Sequence, residues 1–387
     1  MKKFGSLLMS ALLCASLLAG CSSSASVSQS TVPETISTAE GAIETGSEEV
    51  SLEEMSAAKT ETSTEALEES SDDTVVRIGG LKGPTTMGLV KLMDDVQNGT
   101  AANNYEFTMV TAADELTGLV ASGKIDIALL PANVASVLYH KTEGKVSVID
   151  INTLGVLYLV SGDSSISSIE NLSGKTVYLP GKGTTPEYVL RYLISASGLS
   201  DDAVTLEFKS EASEVAAVLA EDPHAIGLLP HAAVLAEDPN AIGLLPQPFV
   251  TAAIAQNDSL SVVLDLTKVW DSLQEDGSNS RLVTGVSIVN NEFLAAHKDL
   301  VDTFLTEHEA SIAYTAADPE GAAALIEKAG IVAKAAIAQK ALPACNITYL
   351  DGQDMKDALN GYLSVLLSQN PQSVGGSLPE DDFYYLR

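Results

Sequence analysis

Alternating apolar and polar segments along the chain predict strands that alternate with helices. Segments 75–79 and 125–130 are short apolar runs, and the second is nearly continuous, as in a parallel strand covered on both faces. Between them, segment 113–122 places its apolar residues on one helical face. Such alternation is typical of βαβ units, so the pattern predicts an α/β fold.

The remaining predicted elements follow the same alternation. Further strands are expected at 107–111, 175–179, 205–209 and 284–289, and helices at 86–97, 292–306, 311–317, 319–328 and 354–368, with two more beginning near Pro186 and Val215. A long apolar run, 153–160, is expected to be one strand that carries the chain into a second lobe. The last stretch, 375–385, is expected to pack back on the first lobe.

Two segments about a hundred residues apart have nearly the same sequence pattern. The first, 77–86, has the sequence RIGGLKGPTT, and the second, 176–186, has the sequence TVYLPGKGTTP. Each predicts a strand, then a Gly-containing turn with one Lys, then two Thr that open a helix. A second pair, 125–133 and 241–248, also recurs with a Pro at the strand end. The repetition predicts two similar lobes that face each other across a cleft.

Both motifs fall at the carboxyl end of a predicted strand, where open α/β sheets bind ligands. Unpaired N–H groups at a helix start favour an anionic or strongly polar group, and Gly lets the backbone approach it closely. Thr185 is expected to be the N-cap, with Pro186 as the first helical residue. The candidate ligand-binding residues are Lys82, Gly83, Pro84, Thr85, Thr86, Pro131, Asn133, Gly181, Lys182, Gly183, Thr184, Thr185, Glu187 and Gln247. The alternative is that these are ordinary strand–helix junctions, and that the two Lys are simply solvated.

The N-terminus has the features of a bacterial lipoprotein signal. Lys2 and Lys3 precede an apolar segment, 7–18, that is too short to span a membrane in the usual way. It ends in Leu-Ala-Gly-Cys21, which resembles a lipobox, with cleavage before Cys21 and lipid on its thiol. The alternative is a plain secretory signal with an accidental Cys. Segment 22–73 is rich in Ser, Thr and Glu, and we expect a disordered acidic tether.

Charge and cysteine usage exclude several classes of function. The net charge of −31 argues against nucleic-acid binding and against a polybasic membrane contact. Cys14 and Cys21 belong to the signal, so Cys345 is left alone without a disulfide partner, and we expect it to be a small buried apolar residue. The five His show no metal-ligand spacing, and no P-loop or G-x-S-x-G motif is present. The sequence therefore predicts no metal, no cofactor and no catalytic nucleophile.

A tandem repeat interrupts the second half. Segment 216–230 recurs as 232–246 with one difference, His224 against Asn240, so the two units of sixteen residues are 216–231 and 232–247. Because the second copy runs directly into Pro246 and Gln247, we expect its strand, 241–245, to occupy the sheet. The equivalent segment of the first copy, 225–230, is expected to be displaced.

Five segments resemble the substrate-binding lipoproteins of ABC importers of the nitrate/sulfonate/taurine type. They are 81–88, 123–131, 181–188, 245–250 and 375–383. The resemblance covers 75–385 and implies the type II periplasmic-binding fold, with two Rossmann-like lobes whose mixed, mostly parallel sheets are joined by two crossing segments. We expect 74–152 plus 286–387 to form the first lobe and 153–285 the second, with hinges near 152–155 and 284–287.

The resemblance also implies a function. Such a protein captures a small polar or anionic solute between its lobes and delivers it to a permease with a cytoplasmic ATPase, as a monomer anchored by lipid outside the membrane. Two alternatives stay open. One is a sensor that presents its closed form to a membrane receptor. The other is an enzyme like the eukaryotic relative that makes a thiamine pyrimidine, which would need a reactive His and metal ligands in the cleft.

Overall fold

The computed structural model describes residues 74–219, 241–274 and 279–387. The signal, Cys21 and the expected tether lie outside the described residues. The span Ser70–Arg387 forms one compact unit. None of the helices in the described ranges has both the length and the apolar character needed to cross a bilayer.

Strands and helices alternate along most of the described chain. The strands are β1 (Val75–Leu81), β2 (Asn104–Val110), β3 (Ile127–Pro131), β4 (Val146–Leu154), β5 (Leu157–Ser161), β6 (Thr176–Pro180), β7 (Thr205–Lys209), β8 (Ile242–Pro246), β9 (Ser261–Asp265), β10 (Val283–Asn290) and β11 (Ile347–Leu350). The helices are α1 (Pro84–Met87), α2 (Val90–Asn98), α3 (Ala113–Ala121), α4 (Ala132–Lys141), α5 (Thr185–Ala196), α6 (Ala212–Leu219), α7 (Phe249–Gln256), α8 (Leu266–Ser272), α9 (Asn291–Ala296), α10 (Lys298–Ala317), α11 (Pro319–Lys328), α12 (Ala335–Ala341) and α13 (Gly352–Gln369).

These strands form two mixed sheets. The first has the order β11-β4-β10-β3-β1-β2 and the second the order β7-β6-β8-β5-β9. In the first sheet β1 pairs in parallel with β2 and β3, and in the second β6 pairs in parallel with β7 and β8. The other pairs are antiparallel. The mixed α/β fold is confirmed, but the parallel share is smaller than expected because the strands beside each crossing enter their sheets in the opposite direction. We call each sheet with its helices a lobe.

The chain passes from the first sheet to the second through a short break, and it returns to the first through a longer segment. β4 ends at Leu154 in the first sheet and β5 begins at Leu157 in the second, so the expected single strand over 153–160 is wrong. Gly155 lies in the break, and a Cβ there would stand 2.2 Å from Oγ1 of Thr267. The return runs through α8 to Val283, which already pairs with Leu154. The expected second boundary, at 285/286, therefore falls inside β10.

The core is shared between the two lobes through α13. Tyr362 of α13 stands 5.8 Å from Trp270 of α8 between ring centroids, and Trp270 stands 4.8 Å from Tyr192 of α5. All three rings belong to or pack against one buried cluster that also includes strands of both sheets. The helix α13 thus packs on both lobes.

Two sequence predictions for the C-terminal region have different outcomes. The expected helices 292–306 and 311–317 are wrong in their boundaries, because the break falls at His297 and α10 continues unbroken to Ala317. The polar residues His308 and Ser311 are buried inside this helix. The packing of the last stretch on the first lobe is confirmed, since the Tyr385 N–H donates to the Val148 carbonyl at 2.9 Å.

The repeat contributes one element from each copy. β8, from the second copy, lies between β6 and β5, which confirms the expectation for 241–245. The helix α6 includes the start of the first copy and packs directly on β8, since a Cβ on Gly243 would stand 2.6 Å from Cδ1 of Leu219. The expected displacement of 225–230 lies outside the described residues.

Candidate functional site

The first motif ends in a helix of a single turn. Gly83 is the N-cap of α1, and Thr85 and Thr86 are buried inside it. The Thr86 hydroxyl donates to the Leu81 carbonyl at 2.7 Å, and its N–H donates to the Gly83 carbonyl at 3.1 Å. The expected helix over 86–97 therefore starts two residues earlier and is divided, with α2 beginning at Val90. Thr86 consequently turns back towards its own strand.

Several polar residues lie together at the ends of neighbouring strands of the first sheet, next to the start of α1. Pro131 pairs with Gly285 of β10, and Gly285 pairs with Thr153 of β4. A Cβ on Gly285 would stand 2.5 Å both from Asn152 Oδ1 and from Thr85 Cγ2. Sequence analysis named Asn152, Thr153 and Gly285 only as hinge positions. The adjacent polar pair Asn152–Thr153 near the end of a mostly apolar strand was the available signal.

A chain of buried hydrogen bonds holds Asn152 at these strand ends. Asn152 Nδ2 donates to Ser287 Oγ at 3.2 Å, and Ser287 Oγ donates to Asp150 Oδ1 at 2.8 Å. The other oxygen, Oδ2, lies 3.0 Å from Nδ1 of His308 on α10. All four side chains are buried, and within the described residues His308 Nε2 has no partner. The network fixes the orientation of Asn152 at the edge.

The second motif forms a glycine turn followed by a full helix. Gly181 and Gly183 have φ angles of 62° and 76°, in the region that favours glycine. The N-cap of α5 is Thr184, one residue before the expected Thr185, and Pro186 follows as the second helical residue. The Thr184 hydroxyl caps no helical N–H and donates instead to the Gly181 carbonyl at 2.5 Å.

The turn is braced by its own helix. Glu187 is buried, and its Oε2 accepts from the Gly183 N–H at 2.7 Å while Oε1 accepts from Arg191 Nε at 2.8 Å. The Tyr188 hydroxyl donates to the Gly183 carbonyl at 2.9 Å. Glu187 was expected to contact ligand, and in this arrangement its carboxylate contacts the turn.

The remaining predicted residues include two exposed lysines and one buried amide. Lys82 is exposed, and Lys182 is exposed with its Nζ 5.8 Å from the ring centroid of Phe208. Gln247 is buried, and its Oε1 accepts from the Thr251 hydroxyl at 2.9 Å. The peptide bond that follows it, before Pro248, is cis.

The two lobes meet at residues that sequence analysis named on both sides. The Thr185 hydroxyl of α5 lies 3.3 Å from Asn133 Oδ1 of α4. Thr185 also shares a hydrogen bond with Tyr362 of α13, whose hydroxyl has its pKa raised by burial and so stays protonated. Beside it, Asn370 Nδ2 donates to the Tyr188 hydroxyl at 3.0 Å. We call Thr85, Asn133, Asn152, Thr153 and Thr185 the interlobe site.

The interlobe site carries hydroxyl and amide groups, which hydrogen-bond and do not ionise at neutral pH. Among the residues that the structure describes, no group of three or more His, Cys, Asp or Glu could hold a metal ion. Chemically, these hydroxyl and amide groups can bind and orient a polar molecule between the two lobes.

Comparisons with known proteins agree with this architecture. Residues 103–229 match the family model described as NMT1/THI5 like. No curated protein matches the chain. An ABC transporter structure from Parabacteroides distasonis is 24% identical and superposes with a TM-score of 0.64 over 81% of this chain and 99% of that one.

Two further solved structures have the same architecture. The periplasmic aliphatic sulphonate binding protein SsuA from Escherichia coli is 15% identical, with a TM-score of 0.61 over 80% of this chain and 92% of that one. The ligand binding component of an ABC-type import system from Staphylococcus aureus, solved with zinc bound, is 14% identical, with a TM-score of 0.57 over 81% of this chain and 97% of that one. Together with the family model, these similarities confirm the resemblance and the periplasmic-binding fold.

Proposed function

We propose that this chain, which has the fold of ABC-importer substrate-binding proteins, captures a small polar solute between its lobes outside the cytoplasm. It then delivers the solute to a membrane permease powered by a cytoplasmic ATPase. The observation that carries the proposal is the meeting of the two lobes at Asn133 and Thr185, two residues selected from the sequence as ligand contacts. The NMT1/THI5-like match and the similarity to solved importer components support it.

In this proposal the solute replaces the direct contact between the lobes. Its polar groups bond to the hydroxyl and amide groups of the interlobe site, and the buried network behind Asn152 keeps that amide oriented. Because the ligand lies between two bodies, the lobes must part to admit it, and they close by rotating about a few residues such as Gly155.

We also propose that the signal is cleaved before Cys21 and that lipid is attached to its thiol. The chain is then a monomer held on the outer face of the cell membrane, with 22–73 as the tether. Metabolic labelling with a clickable fatty acid should mark the wild-type protein and leave Cys21→Ser unmarked. Labelling of both proteins would contradict the assignment of Cys21.

The proposed role is non-enzymatic. An enzyme on this fold would need a reactive His with metal ligands in the cleft. The buried His308 lies on α10 against Asp150, behind the sheet edge, where a solute held between the lobes does not reach it. A sensor that signals to a membrane receptor would bind its ligand in the same way, and no observation favours it over import.

Ligand-dependent stabilisation tests the binding role. A compound that binds only the folded state raises the melting temperature in a concentration-dependent manner. We expect one class in a panel of small anions, sulfonates, amino-acid derivatives and vitamin precursors to do so. Asn133→Ala should lower the affinity for that class at least tenfold, so that a higher concentration is needed for the same rise in melting temperature. Asn98→Ala, on the exposed surface of α2, should leave the affinity unchanged. Equal responses from both variants would contradict the proposed site.

A further inference from the structure

The start of α5 already holds an anion of its own. The Glu187 side chain is only 10% exposed, and one of its oxygens accepts from the Gly183 N–H at 2.7 Å. Its second oxygen pairs with Arg191 at 2.8 Å. A carboxylate in this place occupies the positive end of the helix, where a free anion would otherwise be stabilised.

Several other donors of this turn are already bonded or absent. Pro186 has no N–H, the Gly181 N–H donates to the Lys209 carbonyl at 2.8 Å, and the Glu187 N–H donates to the Thr184 carbonyl at 3.1 Å. The Thr184 hydroxyl donates to Gly181. A free oxyanion at this turn would meet a buried carboxylate, and the Gly181 and Glu187 N–H groups and the Thr184 hydroxyl would not be available to it.

The first lobe does not supply the anion-binding groups that the second lobe lacks. Its motif opens a helix of only four residues, in which Pro84 lacks an N–H and the Thr86 N–H bonds to Gly83. Lys82 is exposed to solvent, where its charge is screened. The net charge of −31 gives no long-range attraction for an anion.

We infer that the interlobe site takes an uncharged polar solute, and that Glu187 is the specificity-determining residue that excludes oxyanions such as sulfonates. The inference rests on the proposed function and narrows its substrate class. The side chains that remain to recognise the solute are hydroxyls and amides, each of which can donate and accept. They suit amide, carbonyl and hydroxyl groups on the solute.

The chain offers a matched control for Glu187. At the start of α6, Glu214 Oε2 accepts from the Ser210 N–H at 2.8 Å, with the same four-residue spacing as Glu187 and Gly183. This second contact is exposed. Removing Glu214 therefore tests the loss of an equivalent, exposed bond at the start of the neighbouring helix.

The experiment uses the full chain purified in mild detergent, titrated calorimetrically with sulfate and with ethanesulfonate. Wild-type protein and Glu214→Ala should show no saturable binding up to millimolar concentrations. Glu187→Ala frees the Gly183 N–H and leaves Arg191 unpaired, and its affinity for both anions should rise at least tenfold. Glu187→Gln, which keeps an acceptor for Gly183 and removes the charge, should show a smaller gain and serves if the Ala variant does not fold.

The outcomes separate the two proposals. Sub-millimolar binding of either anion by wild-type protein, or folded Glu187 variants with no gain, would overturn the exclusion of oxyanions and leave the solute-binding role standing. A parallel panel of uncharged amides, polyols and heterocycles should contain a compound that wild-type protein binds. If neither anions nor uncharged compounds bind, the proposed function fails and this inference fails with it.

Discussion

Asp126 is a nearly buried carboxylate that ties β1 to the start of β3. Its Oδ2 accepts from the backbone N–H and the Nε of Arg77, at 2.9 and 2.8 Å, and its Oδ1 accepts from Nη2 at 2.5 Å. The hydrogen bond to Asp126 raises the pKa of the Arg77 guanidinium further above its usual value. One side chain thus ties two neighbouring parallel strands of the first lobe together.

We predict that Asp126→Ala lowers the free energy of unfolding by about 2 kcal/mol, because charged and backbone donors lose their acceptor. Urea denaturation measures the change. Glu309→Ala, an exposed carboxylate on α10, should change it by less than about 0.5 kcal/mol. Similar losses in both variants would show that Asp126 acts only through general surface charge.

Cys345 illustrates a residue whose reactivity follows from burial. It is fully buried, as expected from the sequence, and burial raises the pKa of its thiol to about 12. Only the thiolate reacts readily with electrophiles. We predict that native protein at pH 8 shows no more labelling by an aromatic disulfide reagent than Cys345→Ala does. In guanidinium the wild type should gain one additional labelled thiol, and rapid labelling of the native protein would contradict the buried placement.

Residue roles were predictable where they depend on local sequence and not where they depend on distant partners. The burial of Cys345 followed from its isolation in an apolar context, and the N-cap of α5 was missed by a single residue. The links from Asp150 to Ser287 and to His308 join residues 137 and 158 positions apart. Glu187 was selected for its place in the first helical turn, but only the fold shows that its carboxylate turns back to Gly183.

At the scale of elements, the join between α6 and β8 is unusually long. Twenty-two residues separate Leu219 from Ile242, whereas most αβ connections have about two to six. The two copies of the repeat are identical over the four residues 216–219 and 232–235. Removing one unit therefore restores the same end of α6 and leaves a link of six residues before β8.

We predict that deleting residues 216–231 preserves the fold and raises the melting temperature. The shorter link costs about 1 kcal/mol less entropy to close, which corresponds to a rise of roughly 2 °C. Scanning calorimetry and circular dichroism provide the comparison. A substitution control, His224→Asn, removes the single difference between segments 216–230 and 232–246 and should have no effect. An unfolded or less stable deletion variant would mean that the extra copy is an integral part of the lobe.

Elements with simple periodicity were predictable, and those shaped by a partner were not. The strand at 205–209 and the helix at 319–328 have the expected bounds. The run 153–160 has one uninterrupted apolar pattern, and only the change of sheet at Gly155 divides it. Likewise α10 was expected to be two helices. It is one helix, in which His308 and Ser311 find polar partners inside the core.

For the whole molecule, the direct contact between Asn133 and Thr185 characterises an arrangement in which the lobes are together. The helix α13 packs on both lobes and limits how far they can separate. Opening must break the contact between these two side chains and the hydrogen bond between Thr185 and Tyr362. This closed arrangement of the lobes therefore depends on a few polar contacts beside a shared apolar core.

We predict that the double variant Asn133→Ala with Thr185→Ala is more open than the wild type in the absence of ligand. Small-angle scattering on residues 70–387 should show a larger radius of gyration for the variant. The wild type should become more compact when its solute is added. Asn98→Ala, on the exposed surface of α2, is the control and should leave the radius unchanged. An unchanged radius for wild type at saturating solute would contradict closure between lobes.

The composite origin of the α6–β8 pair has an evolutionary consequence. Because the helix takes its sequence from the start of one copy and the strand from the end of the other, replication slippage can add or remove a unit of sixteen codons without altering either element. Variation in copy number at this place then changes the length of the link and leaves the sequences of α6 and β8 as they are. The same property marks the join as a natural point for inserting a reporter domain.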